Sequence, residues 1–266
     1  DRDPEAIKRG AALRAQYPNR LHLVETVFSD VDKALVTAGV ATQADVASGA
    51  GVVDAVMMDL GVSSFQLDQA ERGFSFRYNG PLDMRMGRVV GTYSEEELAD
   101  IFWRFGEEKM ARRMAHAIVC ARKHAPLEHT SELTDVLHRV RPRRHFDRID
   151  PATKVFQALR IEVNNELGEI QTALEKTKTL LKPGGVLVVV SFHSLEDRLV
   201  KKFFTQVAGK PKHVNKYRAD TGDENTVQEY ELPFRGVLKP SAQECAINAR
   251  SRSARMRVLK RKIKRG

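Results

Sequence analysis

The sequence predicts an α/β protein with a parallel sheet and an all-helical insertion. Two apolar segments, "VVDAVMMDL" (residues 52–60) and "VLVVVSF" (residues 186–192), have the length of buried strands and are flanked by helical segments. Between them, residues 93–140 contain three amphipathic helical segments and no strand candidate. Because alternating strands and helices are typical of βαβ units, the helical stretch is interpreted as an insertion into an α/β domain.

Length and composition limit the class of protein. The 266 residues are 42% hydrophobic, which is enough for the core of one large domain or of a domain with an insertion. No apolar run approaches the roughly 20 residues that span a bilayer, and no signal peptide is visible. Cys120 and Cys245 lie far apart and in no motif, which is typical of a reducing compartment. The histidines lack metal-ligand spacing, so no metal site is expected.

The charge of the chain is strongly positive. The net charge is +9, and the segment "NARSRSARMRVLKRKIKRG" is densely basic. This balance favours a polyanionic partner, most simply a nucleic acid, whereas the competing explanation is solubility alone. Further candidates for phosphate contacts are Arg85, Arg112, Arg113, Arg143 and Arg144.

The first 60 residues alternate between helices and strands. Asp3 and Pro4 form a helix start, an acidic cap followed by proline at the first helical position, and the helix is predicted to reach Ala15. Residues 21–28, "LHLVETVF", are predicted to form a strand, and residues 29–38 a helix. The segment "ATQADVASGAG" is interpreted as a linker before the strand at residues 52–60.

The helical insertion begins with a clear cap. Ser94 and Glu97 have the spacing of a capping box, and an apolar stripe follows. Residues 108–124 form a second amphipathic segment, and residues 130–142 a third, with Thr130 or Ser131 as its cap. Three such segments in succession predict a small helical domain of its own.

The last third returns to the α/β pattern. Residues 151–181 are predicted to form one long helix or a broken pair, followed by the apolar strand at 186–192 and a helix from His193. The polar residues 210–230 are predicted to form a mobile loop. The alternating segment "SARMRVLKR" (residues 253–261) is predicted to be an edge strand.

Polar residues stand at three predicted strand ends. Asp59 and His193 end the two apolar strands, and Asp1 would end a strand that lies upstream of the first helix. An acid in that position typically accepts hydrogen bonds from the ribose hydroxyls of an adenosine cofactor. Because ligands of open parallel sheets bind at the carboxyl ends of the strands, the three positions predict a cleft.

The residues after Asp59 run for about 25 positions without regular periodicity, which is usually a sign of function. Phe74 and Phe76 alternate around Ser75, and Arg85 follows. Aromatic rings interleaved with arginine can stack on a nucleobase. The alternative is that both phenylalanines anchor a long loop.

Several long segments occur in an order that identifies a family. These are "DLGVSSFQLD", "ERGFSF", "GPLDMRM", "FQALRIEVNNEL" and "SFHSLEDR", with "DRDPEAI" before them and "NARSRSARMRVLKR" after them. Together they resemble the RsmH (MraW) family of S-adenosylmethionine-dependent ribosomal RNA methyltransferases, over nearly the whole chain. That family methylates the exocyclic N4 of a cytidine in the decoding region of small-subunit ribosomal RNA.

The resemblance implies a Rossmann-like class I methyltransferase core with an inserted all-helical domain. Its implied limits are residues 1–72 for the first part of the core, 73–150 for a loop and a helical domain that recognises substrate, and 151–266 for the rest of the core. It also implies S-adenosyl-L-methionine as cofactor and the small ribosomal subunit, or its RNA, as partner. A bacterial member would be cytoplasmic and a eukaryotic one would lie in the mitochondrial matrix.

The family's motifs assign roles to residues of this chain. Asp1 corresponds to the acid that holds the cofactor ribose, and Phe28 to the aromatic residue beside the adenine. Asp59 and Gln66 correspond to further cofactor contacts. These four residues are the implied cofactor site.

Methyl transfer to cytosine N4 must align a poorly nucleophilic amine with the methyl donor. Asp59 stands where other amino-methyltransferases carry their acceptor motif, so it is a candidate proton acceptor as well as a cofactor ligand. His193 is the second candidate base, and a helix cap is its alternative role. A flipped cytosine also needs an aromatic surface to stack on. The candidate contacts with the RNA substrate are Phe74, Phe76, Asp83, Arg85 and Phe192.

Members of the family begin with a strand and a glycine loop like "DGTFGxGGH", and the sequence as given starts after that point. We expect this segment to precede residue 1 in the complete protein. The alternative is an inactive member that binds RNA and assists assembly of the small subunit. A Rossmann dehydrogenase is disfavoured because the chain has no G-x-G-x-x-G turn.

Overall fold

The computed structural model describes residues 1–63, 68–69, 73, 79–82, 84–147, 149–209, 228–234 and 236–263, and of residues 84 and 85 only the backbone. The chain forms two compact units, Asp1–Leu60 with Leu167–Gly266, and Gly61–Glu166. The first unit carries a sheet with helices, so the α/β prediction is confirmed. The domain limits suggested by the sequence, at residues 72 and 150, remain a prediction.

The first unit begins with two helices. Helix α1 (Pro4–Gln16) begins as predicted, because the side chain of Asp3 accepts a hydrogen bond of 3.0 Å from the backbone N–H of Glu5. Helix α2 (Val31–Thr37) follows a 3₁₀ turn at Phe28–Asp30. Both helices lie where the sequence predicts a helix.

Two predictions for this region are wrong. Within the described residues, the segment at 21–27 forms no strand, because the backbone that pairs with it is that of Asp1 alone: the N–H of Asp1 donates to the carbonyl of Val24, and the N–H of Thr26 to that of Asp1. The predicted linker contains helix α3 (Gln43–Ser48). Thr42 and the first-turn Asp45 form a capping box there, which stabilises a helix in a segment rich in small residues.

The sheet of the first unit contains four strands in the order β1 (Val53–Asp59), β2 (Leu181–Ser191), β4 (Arg255–Arg261) and β3 (Tyr230–Glu231). Strands β1 and β2 are parallel, as predicted, whereas β4 runs antiparallel to both of its neighbours, so the sheet is mixed.

Among the described strands, β4 is therefore not an edge strand, and that prediction is wrong. The cause is β3, at the end of the segment predicted to be a loop. There the buried ring of Tyr230 is held by a 2.6 Å hydrogen bond from its hydroxyl to the carbonyl of Lys178. Residues 210–227 of that predicted loop lie outside the described residues.

Helices cover the sheet and complete the core of the first unit. The predicted broken pair is present: α8 (Ala152–Asn164), which belongs to the second unit, ends at Asn165, whose φ of 50° stops it. Helix α9 (Glu166–Leu180) follows and lies in the first unit from Leu167 onwards. Helix α10 (Ser194–Ala208) begins directly after β2, and the short α11 (Ala242–Ile247) precedes β4. The buried core includes Leu174, Leu187, Val189, Phe204 and Leu259.

The second unit is built from α4 (Met84–Thr92), α5 (Glu95–Arg104), α6 (Ala111–Arg122), α7 (Thr130–Val140) and α8. The predicted capping box of Ser94 and Glu97 is confirmed at the start of α5. Helix α7 begins at Thr130, so His129 rather than Thr130 or Ser131 holds the cap position. The hydrophobic core of the second unit includes Leu98, Phe102, Met114, Ile118 and Leu137.

Helix length and polarity also bear on membranes. Of the helices in the described ranges, none is both long enough and apolar enough to cross a bilayer.

Candidate functional site

The parallel pair of strands ends at one edge of the sheet and brings two predicted site residues together there. Asp59, the last residue of β1, stands opposite Val190 of β2, and the N–H of Leu60 donates to the carbonyl of Val190 at 2.9 Å. Phe192 and His193 are the first two residues after β2. Two of the three predicted strand ends therefore share this edge, which is the position where parallel sheets bind ligands.

The carboxyl group of Asp59 is chemically unusual. Solvent reaches the residue, but the surrounding protein removes part of its hydration. This desolvation, and secondly the negative charge of Glu196, raise the pKa of Asp59 above its ordinary value. A raised pKa makes the carboxylate a stronger proton acceptor, which is what a base at this edge requires.

Glu196 is the residue that the sequence analysis missed. Its side chain is fully buried, and one carboxylate oxygen accepts hydrogen bonds from the backbone N–H groups of Phe192, at 2.8 Å, and His193, at 3.2 Å. These bonds fix the turn from β2 into α10. The spacing of histidine and glutamate in "HSLE" is that of a capping box and could have identified it.

His193 is the N-cap of α10. Its Nδ1 accepts a hydrogen bond of 3.4 Å from the N–H of Glu196, and its Nε2 lies 3.1 Å from a carboxylate oxygen of Glu196. The ring is largely buried, at 12% exposure. Both ring nitrogens therefore face Glu196, which is the geometry of the helix-cap alternative. The role of His193 as a base remains a hypothesis.

Phe192 is half-buried directly after β2. It lies two positions beyond Val190, the register partner of Asp59, so its place in the chain suits a ring that stacks on a substrate base near that carboxylate. Stacking by Phe192 remains a prediction.

Asp1 and Phe28 are connected through the extended segment before the 3₁₀ turn. The backbone bonds of Asp1 with Val24 and Thr26 have the pattern of a parallel ladder, so Asp1 lies beside the extended segment that leads to Phe28. One carboxylate oxygen of Asp1 accepts a 2.8 Å bond from the N–H of Asp3, and the ring of Phe28 is 40% exposed. A carboxylate and an open aromatic face fit the ribose diol and the adenine of an adenosine cofactor. Those two roles remain predictions.

Other predicted site residues have no described position. Gln66, Phe74, Phe76 and Asp83 lie outside the described residues, and Arg85 is described only as part of helix α4.

Residues 1–262 match the profile of the MraW methylase family. The chain is 46% identical to the ribosomal RNA small subunit methyltransferase H of Rhodospirillum rubrum, over 98% of this chain and 80% of the relative. It is 48% identical to the proteins of the same name from Acidiphilium cryptum and Parvibaculum lavamentivorans, again over 98% of this chain and over 82% and 76% of those relatives. These organisms are bacteria, so the comparisons give no support to the mitochondrial alternative.

Proposed function

The chain belongs to the MraW methylase family, and we propose that it transfers a methyl group from S-adenosyl-L-methionine to small-subunit ribosomal RNA. The target that we propose is the exocyclic N4 of a cytidine in the decoding region. Family membership also confirms the class I methyltransferase fold that the resemblance implied. The bacterial relatives favour the cytoplasm of a bacterium as its location.

The observation that carries this proposal is Asp59 at the carboxyl edge of the parallel strand pair, with a raised pKa. When bound, the cofactor supplies an electrophilic methyl group on a sulfonium centre. Asp1 would accept hydrogen bonds from its ribose hydroxyls, and Phe28 would cover its adenine. These assignments rest on two exposed side chains, a carboxylate that accepts hydrogen bonds and an open aromatic ring.

We assign the proton acceptor to Asp59 rather than to His193. The N4 amine must lose a proton when it gains the methyl group, and a carboxylate with a raised pKa at the strand end can take it. The ring of His193 is engaged with Glu196 and orients the start of α10. Phe192, which follows β2, is the proposed stacking surface for the flipped cytosine.

The test is methylation of small ribosomal subunits that lack the modification, with the full-length protein and labelled cofactor. Nucleoside mass spectrometry is expected to detect labelled N4-methylcytidine, at about one per small subunit. Asp59→Ala is expected to reduce the rate at least about 100-fold, because general base catalysis typically contributes that much. Asp54→Ala is the matched control, since Asp54 is an exposed acid at the other end of the same strand.

Four outcomes would contradict the proposal. Label in another nucleoside would exclude the N4 target, and RNA binding with no cofactor binding by the full-length protein would indicate the inactive assembly factor. Near-normal methylation by Asp59→Ala would remove Asp59 from catalysis. His193→Asn keeps a good helix cap and is expected to retain most of the activity. A loss by this variant as large as that of Asp59→Ala, at unchanged stability, would transfer the role of base to His193.

A further inference from the structure

A pocket of about 350 Å³ lies in the helical unit, where α6 begins and α7 ends. Its lining includes Arg113, Arg141 and Arg144 against a single acidic residue, Asp147. Three positive charges and one negative charge leave the lining with a net charge of +2. Helix α6 has no acidic residue in its first turn, and the N–H of Met110 just before it donates to the buried carboxylate of Glu108 at 3.0 Å. We call this site the arginine pocket.

Arg141, one of the three arginines, is held in position by a buried carboxylate. The guanidinium of Arg141 lies 3.5 Å from a carboxylate oxygen of Glu108, whose side chain is fully buried. The ammonium group of Lys154 lies 3.9 Å from the same oxygen. The two cations together outweigh the single negative charge of Glu108. Glu108 therefore fixes Arg141 while the pocket as a whole stays positively charged.

The other two arginines are available to an external anion. In the part of the chain that the structure describes, no carboxylate pairs with the guanidinium of Arg113 or of Arg144. The carboxylate of Asp147 accepts a 2.9 Å hydrogen bond from the backbone N–H of Arg144, so it shapes the loop instead. The guanidinium of Arg144 lies 5.8 Å from the ring centroid of Phe146, and that residue is 74% exposed.

We propose that the arginine pocket binds a backbone phosphate of single-stranded RNA and that Phe146 stacks on an adjacent base. Arginine presents a planar fork of donors that matches phosphate, and exposed aromatic rings stack on bases of any sequence. The identity of the RNA as ribosomal rests on the proposed function, whereas the anion chemistry of the pocket does not.

The test measures binding of a fluorescent single-stranded RNA oligonucleotide to the full-length protein by anisotropy, between 50 and 200 mM salt. The double variant Arg113→Gln/Arg144→Gln is expected to bind at least tenfold more weakly, with the salt slope reduced by about one. Phe146→Ala is expected to bind roughly fivefold more weakly, with the slope unchanged. The matched control is Arg104→Gln, which removes another exposed arginine that lies over a phenylalanine ring, that of Phe105.

Unchanged RNA affinity and salt slope in the double variant would overturn the proposal. Free phosphate is the other possible source of the anion, so calorimetry with inorganic phosphate is the second arm. Loss of phosphate binding together with unchanged RNA affinity would assign the pocket to a small anion and would also overturn the proposal. Methylation by the wild-type protein is read separately, so absence of N4-methylcytidine would contradict the proposed function without affecting this result. Circular dichroism melting checks that the variants are folded.

Discussion

At the scale of single residues, the chemistry at the edge of the sheet depends on Asp59 and Glu196. Glu196 accepts two backbone hydrogen bonds that fix the turn after β2. The pKa of Asp59 is raised mainly by desolvation, and the buried negative charge of Glu196 is the second cause. Glu196, whose structural role is in the helix cap, thereby helps to raise the pKa of the candidate base Asp59.

This coupling predicts how the pH dependence of the enzyme responds to Glu196→Gln. The base proposed above is the ionised form of Asp59, so kcat/KM is expected to fall as pH falls through the raised pKa of Asp59. The amide oxygen of glutamine can still accept the two backbone bonds, but the negative charge is gone. The acid limb of the pH profile is therefore expected to move to lower pH, while remaining above the ordinary aspartate range because the desolvation persists.

The control for this experiment is Glu175→Gln, which removes an exposed acid paired with Lys178. It is expected to leave the acid limb unchanged. A limb that stays in place in Glu196→Gln, or that moves to higher pH, would contradict the coupling.

The sequence was sufficient to bring Asp59 and His193 to one edge, because the carboxyl ends of neighbouring parallel strands meet there. It was not sufficient to separate their roles. That distinction depends on which groups surround each side chain, as the two contacts of the His193 ring with Glu196 illustrate. Burial and partner geometry of this kind are set by tertiary packing.

At the scale of elements, one acidic residue joins a helix to a strand. Asp197 in the first turn of α10 bonds to Arg255 at 2.9 Å and to Arg257 at 2.7 Å, both on β4. Desolvation would raise the pKa of Asp197, but the hydrogen bonds and charges of the two arginines outweigh it and lower that pKa. This cluster attaches the last strand to the rest of the sheet unit.

We expect Asp197→Asn to lower the free energy of unfolding by about 3 kcal/mol at pH 7, because it leaves a largely buried arginine without its partner. The contribution of Asp197 is complete above the ordinary aspartate pKa and is lost as pH falls through the lowered one. Urea denaturation should therefore give a difference between variant and wild type that shrinks at acid pH.

The comparison variant is Asp54→Asn, which breaks the exposed ion pair with Lys182. An exposed pair of this kind contributes little, so a change below about 1 kcal/mol is expected. Equal effects of the two substitutions, or a difference that persists at acid pH, would contradict the role of Asp197.

The alternation of residues 253–261 correctly predicted a strand but not its place in the sheet. Its place inside the sheet depends on partners elsewhere in the chain, since Arg255 and Arg257 both pair with Asp197. Such pairing over nearly 60 positions of sequence is not visible in local pattern. The missed helix α3 has a different cause: its capping box is local, but a helix of six residues is too short to show an apolar period.

At the scale of the whole molecule, the net charge of +9 is expected to attract the phosphate groups of the proposed RNA substrate. Lysine and arginine residues that neutralise phosphates release counterions, so the equilibrium depends on salt concentration. This effect involves many basic residues and is separate from any one pocket.

Affinity for a fragment of small-subunit ribosomal RNA is therefore expected to fall steeply with salt. If about six phosphates are contacted, the loss between 50 and 200 mM salt is roughly 1,000-fold. Cofactor affinity measured over the same range is the control and is expected to change much less. A flat response for RNA would indicate that the charge serves solubility, as the competing explanation of the composition holds.

The order of the strands has a consequence for biosynthesis. The helical unit is one continuous stretch, Gly61–Glu166, whereas the sheet needs β4, at Arg255–Arg261, beside β2. A ribosome that makes this chain releases every helix of the second unit before the strand that completes the first. Domains generally fold as units during synthesis, and contacts between distant positions form slowly. The helical unit is thus the natural first folding unit, and the nascent sheet stays open until the basic segment has left the exit tunnel.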